Sequence, residues 1–298
     1  LKQSSKILIL YILLTFFIFV ILKIFDLRSL DSFNLAMTLI SSGGFIPVNN
    51  LSAIINTNTK EIVFSLVMLV SFFSIFLSYN LFFIKNKNIS FFQEDILLLI
   101  YFITLLIFFY LLFNFDYNFS VILLSLASSI SNIGISLDQS PKNLSFIFLI
   151  LIIIGGSFFS TSSGIRLLKL YALFKFAINN LISHVKPKNI FLNKHFFLNI
   201  NFEKDEISRY FLSVLIFIIS LFILTSFLTI SGISLESSFK LSILTLMNTV
   251  NSSMHGLSDF NFQELQFFTK YYLIFFMIIG RVELLTLLII CKKFLFKS

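Results

Sequence analysis

The residues that could do chemistry in this chain are three short runs of hydroxyls, amides and glycines. They read Ser41-Ser42-Gly43-Gly44-Phe45-Ile46-Pro47, Ser131-Asn132-Ile133-Gly134-Ile135-Ser136 and Asn248-Thr249-Val250-Asn251-Ser252-Ser253. Glycine at such a turn lets the backbone adopt conformations closed to other residues, so that successive carbonyls can line a narrow path and replace the water shell of an ion. Hydroxyls of Ser42, Ser131 and Thr249 can add oxygen ligands. The chemistry is weak, multi-site oxygen ligation of a cation, with no covalent step.

Each run follows an apolar segment too short to cross about 30 Å of hydrocarbon, which takes roughly 20 helical residues. These segments are Phe33–Ile40, Val121–Ile130 and Phe239–Met247. Irregular backbone survives at membrane depth only where protein or water covers it, so the runs read as pore lining. A half-helix that points its C-terminal end at the membrane centre also aims about half a negative charge at a shared axis, which favours cations.

Long apolar runs flank each short one: Leu8–Ile24 and Ile62–Ile84, Ile96–Phe113 and Leu144–Ala177, Tyr210–Ile230 and Phe267–Phe296. The order of span, half-helix, polar loop and span returns three times. The expected fold is an all-α polytopic membrane protein made of such units around a central pore. Its units are residues 1–87, 88–178 and 207–298, with a connector at 179–206.

Composition agrees with a membrane protein. The chain has 298 residues, 57% hydrophobic, against roughly 45–50% apolar in soluble domains. Its net charge of +8 is scattered between apolar spans, which argues orientation and against a nucleic-acid surface. Lys2, Lys6, Lys85, Lys87, Lys186, Lys188, Lys194, Lys292 and Lys293 fall on one side, and the half-helices enter from the other. By the positive-inside rule the lysine-rich side is cytoplasmic. The single cysteine, Cys291, permits no internal disulfide. The chain starts at Leu1 and is expected to be a fragment with sequence missing upstream.

Within Leu144–Ala177, the pair Gly155-Gly156 and the cluster Ser160, Thr161, Ser162 and Gly164 break the apolar run. Adjacent glycines and hydroxyls weaken a helix, and a water-lined cavity can hydrate the freed carbonyls, so this loop is a candidate gate. Arg281 lies in an apolar run about 16 Å from Lys292 and about 21 Å from Phe267, further than its side chain can reach to water. It should face the pore or a buried partner, and Glu283 at i+2 points elsewhere. The expectation is that Arg281 approaches the broken segment.

These residues resemble the Trk/Ktr/HKT superfamily of potassium transporters, particularly the TrkH/KtrB membrane subunit. That family's T-G-G-F is similar to Ser42-Gly43-Gly44-Phe45, and its S-N-V-G-L-S to Ser131 through Ser136. Its G-G-x-x-G-S-T-x-G-G-I-[KR] resembles the stretch from Gly155 to Arg166, and its G-R-[LV]-E resembles Gly280-Arg281-Val282-Glu283. The resemblance implies a potassium filter at Ser42, Gly43, Gly44, Ser131, Asn132, Ile133, Gly134, Asn248, Thr249 and Val250. It implies a gate at Gly155 to Gly164, and potassium as a transported ligand with no covalent cofactor. It further implies a homodimer in a bacterial inner membrane, docked to a ring of TrkA/KtrA-like nucleotide-binding subunits.

Two departures stand out. The family has four repeats and this chain begins where the second would. The family's last loop reads N-T-G, whereas this one reads Asn248-Thr249-Val250, and a β-branched residue disfavours positive φ. Alternatives are a sodium or non-selective pathway, a non-conducting truncated subunit and, remotely, an intramembrane serine protease built from Ser160 to Gly164 with His255.

Overall fold

The computed structural model describes residues 2–48, 50–74, 89–113, 117–158, 160–185, 202–257 and 260–281. Glu283, Cys291, Lys292 and the connector residues Lys186, Lys188 and Lys194 lie outside them. The described residues are mostly helical, and the only strands among them are two residues long.

Each of three half-helices follows a long helix. Helix α1 (Lys2–Ile24) precedes the short α2 (Ser29–Ile40), and α3 (Asn58–Met68) follows it. Helix α4 (Ile89–Phe113) precedes the short α5 (Phe119–Ile130), and α6 (Ser145–Ile153) follows. After the break come α7 (Leu167–Val185), the long α8 (Lys204–Ile230), the short α9 (Leu235–Met247) and α10 (Phe267–Arg281). Three helices among the described residues, through Ile7–Ile24, Gln93–Leu112 and Lys204–Ile230, are long and apolar enough to cross a membrane. Large side chains on them, such as Phe16, Leu111 and Phe222, face outward, as lipid contact requires.

The short helices form the centre. Every residue of α5 from Ser120 to Ile130 is buried. Two hydroxyls at its C-terminal end bond back along the helix: Ser129 Oγ donates to Ser125 O at 2.8 Å and Ser131 Oγ to Ala127 O at 2.6 Å. One apolar core joins Ile18 and Leu22 of α1 to Leu35 and Leu39 of α2, Phe64 and Met68 of α3, Leu98 of α4 and Ala127 and Ile130 of α5. A second joins Leu149 and Ile152 of α6 to Leu224 of α8, Leu244 of α9 and Phe276 of α10.

One span departs from the sequence reading. Ile62–Ile84 was expected to be continuous, but α3 ends at Met68, passes through a 3₁₀ turn at Leu69–Ser71 and is non-helical by Ser74. The reason is tertiary. The carbonyls of Ser71 and Phe72 accept hydrogen bonds from the broken segment after α6.

Candidate functional site

The three half-helices end in one motif. At each end a residue takes positive φ: Ser42 at 48°, Asn132 at 59° and Asn248 at 52°. Its N–H bonds back three residues, to Leu39 O, Ser129 O and Thr245 O respectively. The next N–H bonds back five, Gly43 to Thr38 O at 2.8 Å, Ile133 to Ser128 O at 3.1 Å and Thr249 to Leu244 O at 2.9 Å. This is the Schellman arrangement, and Asn and Ser tolerate the left-handed position because their short polar side chains find local partners. It sets Ser42, Asn132 and Asn248 as equivalent positions.

Those side chains tie each loop to a neighbour. Asn132 Nδ2 donates to Ile152 O at 3.2 Å, a carbonyl in the last turn of α6, and Asn248 Nδ2 donates to Met277 O on α10 at 2.9 Å. Ser42 Oγ instead shares its hydrogen between Thr161 O at 2.9 Å, in the broken segment, and Ser41 O at 2.8 Å.

Two residues beyond the left-handed position, the loops meet. Gly44 (φ 73°) and Gly134 (φ 80°) adopt backbone that a side chain would strain. A Cβ built on Gly134 would lie 2.2 Å from Val250 O, and one on Gly44 would lie 2.0 Å from Ile133 O and 2.7 Å from Val250 Cγ2. The loops are therefore in direct backbone contact around one point. Val250 holds the equivalent third position without positive φ, so the strain expected there from its β-branch is absent. The loop from Asn248 to Ser253 turns differently and lays the Val250 side chain against Gly44.

The segment from Ile154 to Arg166 is a break in the helix. Ile154–Gly155 pairs in parallel with Ile165–Arg166, and the residues between fold on themselves. Ser162 Oγ accepts from Gly156 N at 3.0 Å and meets Ser160 Oγ at 2.9 Å, while Arg166 Nη1 donates to Ser160 Oγ and Ser162 O, both at 2.9 Å. Glycine is required at 155 and 156 because a Cβ would fall 2.3 Å from Ser163 O and 2.2 Å from Phe72 O.

Arg281 reaches both features. Its Nη2 donates to Ser41 O at 2.8 Å, and its Nη1 donates to Ser163 Oγ at 3.0 Å and Ser42 Oγ at 3.4 Å. Gly280 allows this, since a Cβ there would lie 2.1 Å from Leu246 O and hold α10 off α9. The guanidinium thus bridges the end of α2 and the broken segment.

His255 lies elsewhere. It is fully buried in the loop after α9, with Nδ1 against Ser252, and burial pushes the ring's pKa down to about 3. Ser160 and Ser162 face each other and Arg166, so the hydroxyls and the imidazole occupy separate hydrogen-bond networks.

Sequence reasoning passed over Glu94 and Asp95, which α4 buries beside the break. The signal was there, as two adjacent carboxylates at the start of an apolar run. It also missed Ser163 and the carbonyls of Ser41, Ser71 and Phe72, which no residue type announces.

Comparison with known proteins follows the same lines. The profile of the TrkH family, described as a cation transport protein, matches residues 135–295, more than half of the chain. The crystal structure of the potassium transporter TrkH from Vibrio parahaemolyticus superimposes with a TM-score of 0.82 at 18% sequence identity. The alignment covers 97% of this chain and 64% of that one, so the chain spans less than two thirds of that transporter's length. No curated protein matches by sequence. The half-helix architecture and the family profile agree, and the chain belongs to the TrkH family of cation transport proteins, a family of transporters and not of enzymes.

Proposed function

We propose that this chain forms a cation-conducting pathway for potassium uptake down the electrochemical gradient. The observation that carries the reading is the convergence of three identically capped half-helix ends at Gly44, Gly134 and Val250. Their C-terminal dipoles favour a cation at that point, and weak multi-site oxygen binding lets it leave. In this reading Ser42, Gly43, Gly44, Ser131 to Gly134 and Asn248 to Val250 form the filter. The loop from Gly155 to Gly164 is the gate, and Arg281 positions it. The units are 1–87, 88–178 and 207–298, joined by a cytoplasmic connector at 179–206.

The partners follow from the family resemblance: a second copy of the chain, a cytoplasmic ring of nucleotide-binding regulatory subunits, and the bilayer of a bacterial plasma membrane. A second reading, a sodium or non-selective pathway, is favoured by one feature, the Val250 side chain against Gly44.

The test is potassium and sodium uptake by cells lacking their own potassium uptake systems and expressing the gene with its native upstream sequence. Potassium uptake abolished by Gly134→Asp is the expected result. Equal uptake of both ions selects the second reading, and no flux of either rejects conduction.

A further inference from the structure

Two buried acids have no part in the pathway as proposed. Glu94 and Asp95 sit near the start of α4, 6% and 4% exposed. A carboxylate so far from water must find donors. Each takes a backbone N–H: Phe158 N donates to Glu94 Oε1 at 2.8 Å, and Ser74 N donates to Asp95 Oδ1 at 3.1 Å.

The two donors belong to the two broken helices. Phe158 is in the loop between α6 and α7, and Ser74 follows the break after α3. The breaks are themselves joined, since Ser157 N donates to Phe72 O at 3.0 Å and Ser162 N to Ser71 O at 3.2 Å. Arg166, close enough to interact electrostatically with Glu94, holds Ser160 and Ser162 from another side. The loop is gripped between a carboxylate and a guanidinium. The carboxylate is firmly mounted, because one turn further along α4 Leu98 is fully buried in the core.

We propose that Glu94 is the positioning residue that anchors the loop from Gly155 to Gly164 in the arrangement seen here, and that the loop can open only by giving up the Phe158 N–H bond to it. Asp95 does the same for the Ser71–Phe72 shelf on which the loop rests. A carboxyl oxygen suits the role because it accepts the Phe158 N–H directly, from a side chain long enough to meet the loop. The inference rests on the reading of this loop as a gate.

The experiment uses the full-length protein in proteoliposomes and measures rubidium uptake at equal protein amounts. Four variants are compared with the parent: Glu94→Ala, Glu94→Asp, Glu94→Gln and a deletion of residues 157–161. Glu94→Asp keeps the charge but falls short of Phe158. Glu94→Gln keeps an acceptor oxygen at full reach. Glu94→Ala and Glu94→Asp should each raise resting uptake about tenfold, equivalent to about 1.4 kcal/mol, and Glu94→Gln should restore most of the parent behaviour. In a Cys291→Ser background, thiol labelling of Thr161→Cys should accelerate in step with uptake. A rise in the deletion without any change in Glu94→Ala and Glu94→Asp overturns the anchor and leaves the gate standing. No rise in the deletion overturns the gate and the anchor with it. Glu94→Gln behaving as Glu94→Ala also overturns the anchor, because a hydrogen bond to the acceptor oxygen would then not be what matters.

Discussion

Ser42 Oγ, which carries one hydrogen to share between two acceptors, lies 2.9 Å from Thr161 O and 2.8 Å from Ser41 O, so that it joins the loop after the first half-helix to the broken segment of the following unit. At the equivalent positions Asn132 and Asn248 reach a long helix, at Ile152 O and Met277 O. Serine is one amide shorter and reaches the nearer carbonyl. The consequence is a direct link between the proposed filter and the proposed gate. Ser42→Ala removes it, and a hydrogen bond of about 0.5–1.5 kcal/mol corresponds to a severalfold rise in resting ion flux. Rubidium uptake in proteoliposomes measures it, with Asn132→Ala as the comparison that leaves this link intact.

Gly134 and Gly43 should differ sharply under the same substitution. Gly134→Ala forces a side chain at φ 80° and 2.2 Å from Val250 O, a backbone atom that cannot step aside. Its first contact at Gly43 is Ser41 Oγ at 3.1 Å, the end of a side chain that can turn. Gly134→Ala should cost several kcal/mol at the loop and abolish uptake, by about 1–3 kcal/mol for the overpacking alone. Gly43→Ala should keep uptake within about threefold, a difference of under about 1 kcal/mol.

Val250→Gly removes the side chain that rests against Gly44 and frees the third loop to adopt positive φ. The ratio of potassium to sodium uptake should rise at least severalfold, with total uptake preserved or increased. Competition uptake with both ions present reads the ratio directly. An unchanged ratio would place selectivity outside this contact.

Gly280 and Arg281 act in sequence. Gly280→Ala puts a Cβ 2.1 Å from Leu246 O, so α10 must move off α9 and carry the Arg281 guanidinium away from Ser41 O and Ser163 Oγ. Overpacking of this kind costs about 1–3 kcal/mol. Gly280→Ala and Arg281→Ala should therefore raise resting flux alike, and the double variant should add little beyond either, which a double-mutant cycle tests.

His255 gives a pH dependence of stability. Burial lowers its folded pKa to about 3, below the unfolded value, so the unfolded chain binds the proton first as the solution is acidified. The contribution is complete above about pH 6.5 and is lost as pH falls from there towards 3, amounting to about 2 kcal/mol at pH 5. Thermal unfolding of the purified protein should show the loss between pH 7 and 5. His255→Asn, with no titrating ring, should flatten that part of the profile.

The membrane class, the recurring half-helices and the three polar loops are legible in the order of residues alone. Those properties are local: the length of an apolar run decides whether it spans, and Gly44, Gly134 and the Gly155-Gly156 pair mark where backbone must turn or approach closely. Arg281 is marked there too, because a cation stranded mid-run needs a partner. Which groups become partners depends on how the chain packs. Nothing in the unbroken apolar run from Ile62 to Ile84 announces that α3 stops at Met68, since the carbonyls of Ser71 and Phe72 are claimed by Ser157 and Ser162 from a distant part of the chain. Ser42 and Asn132 look alike as loop residues, yet one reaches Thr161 and the other Ile152. Backbone hydrogen bonds between distant segments depend on carbonyl and amide positions common to every residue, so no side-chain pattern records them.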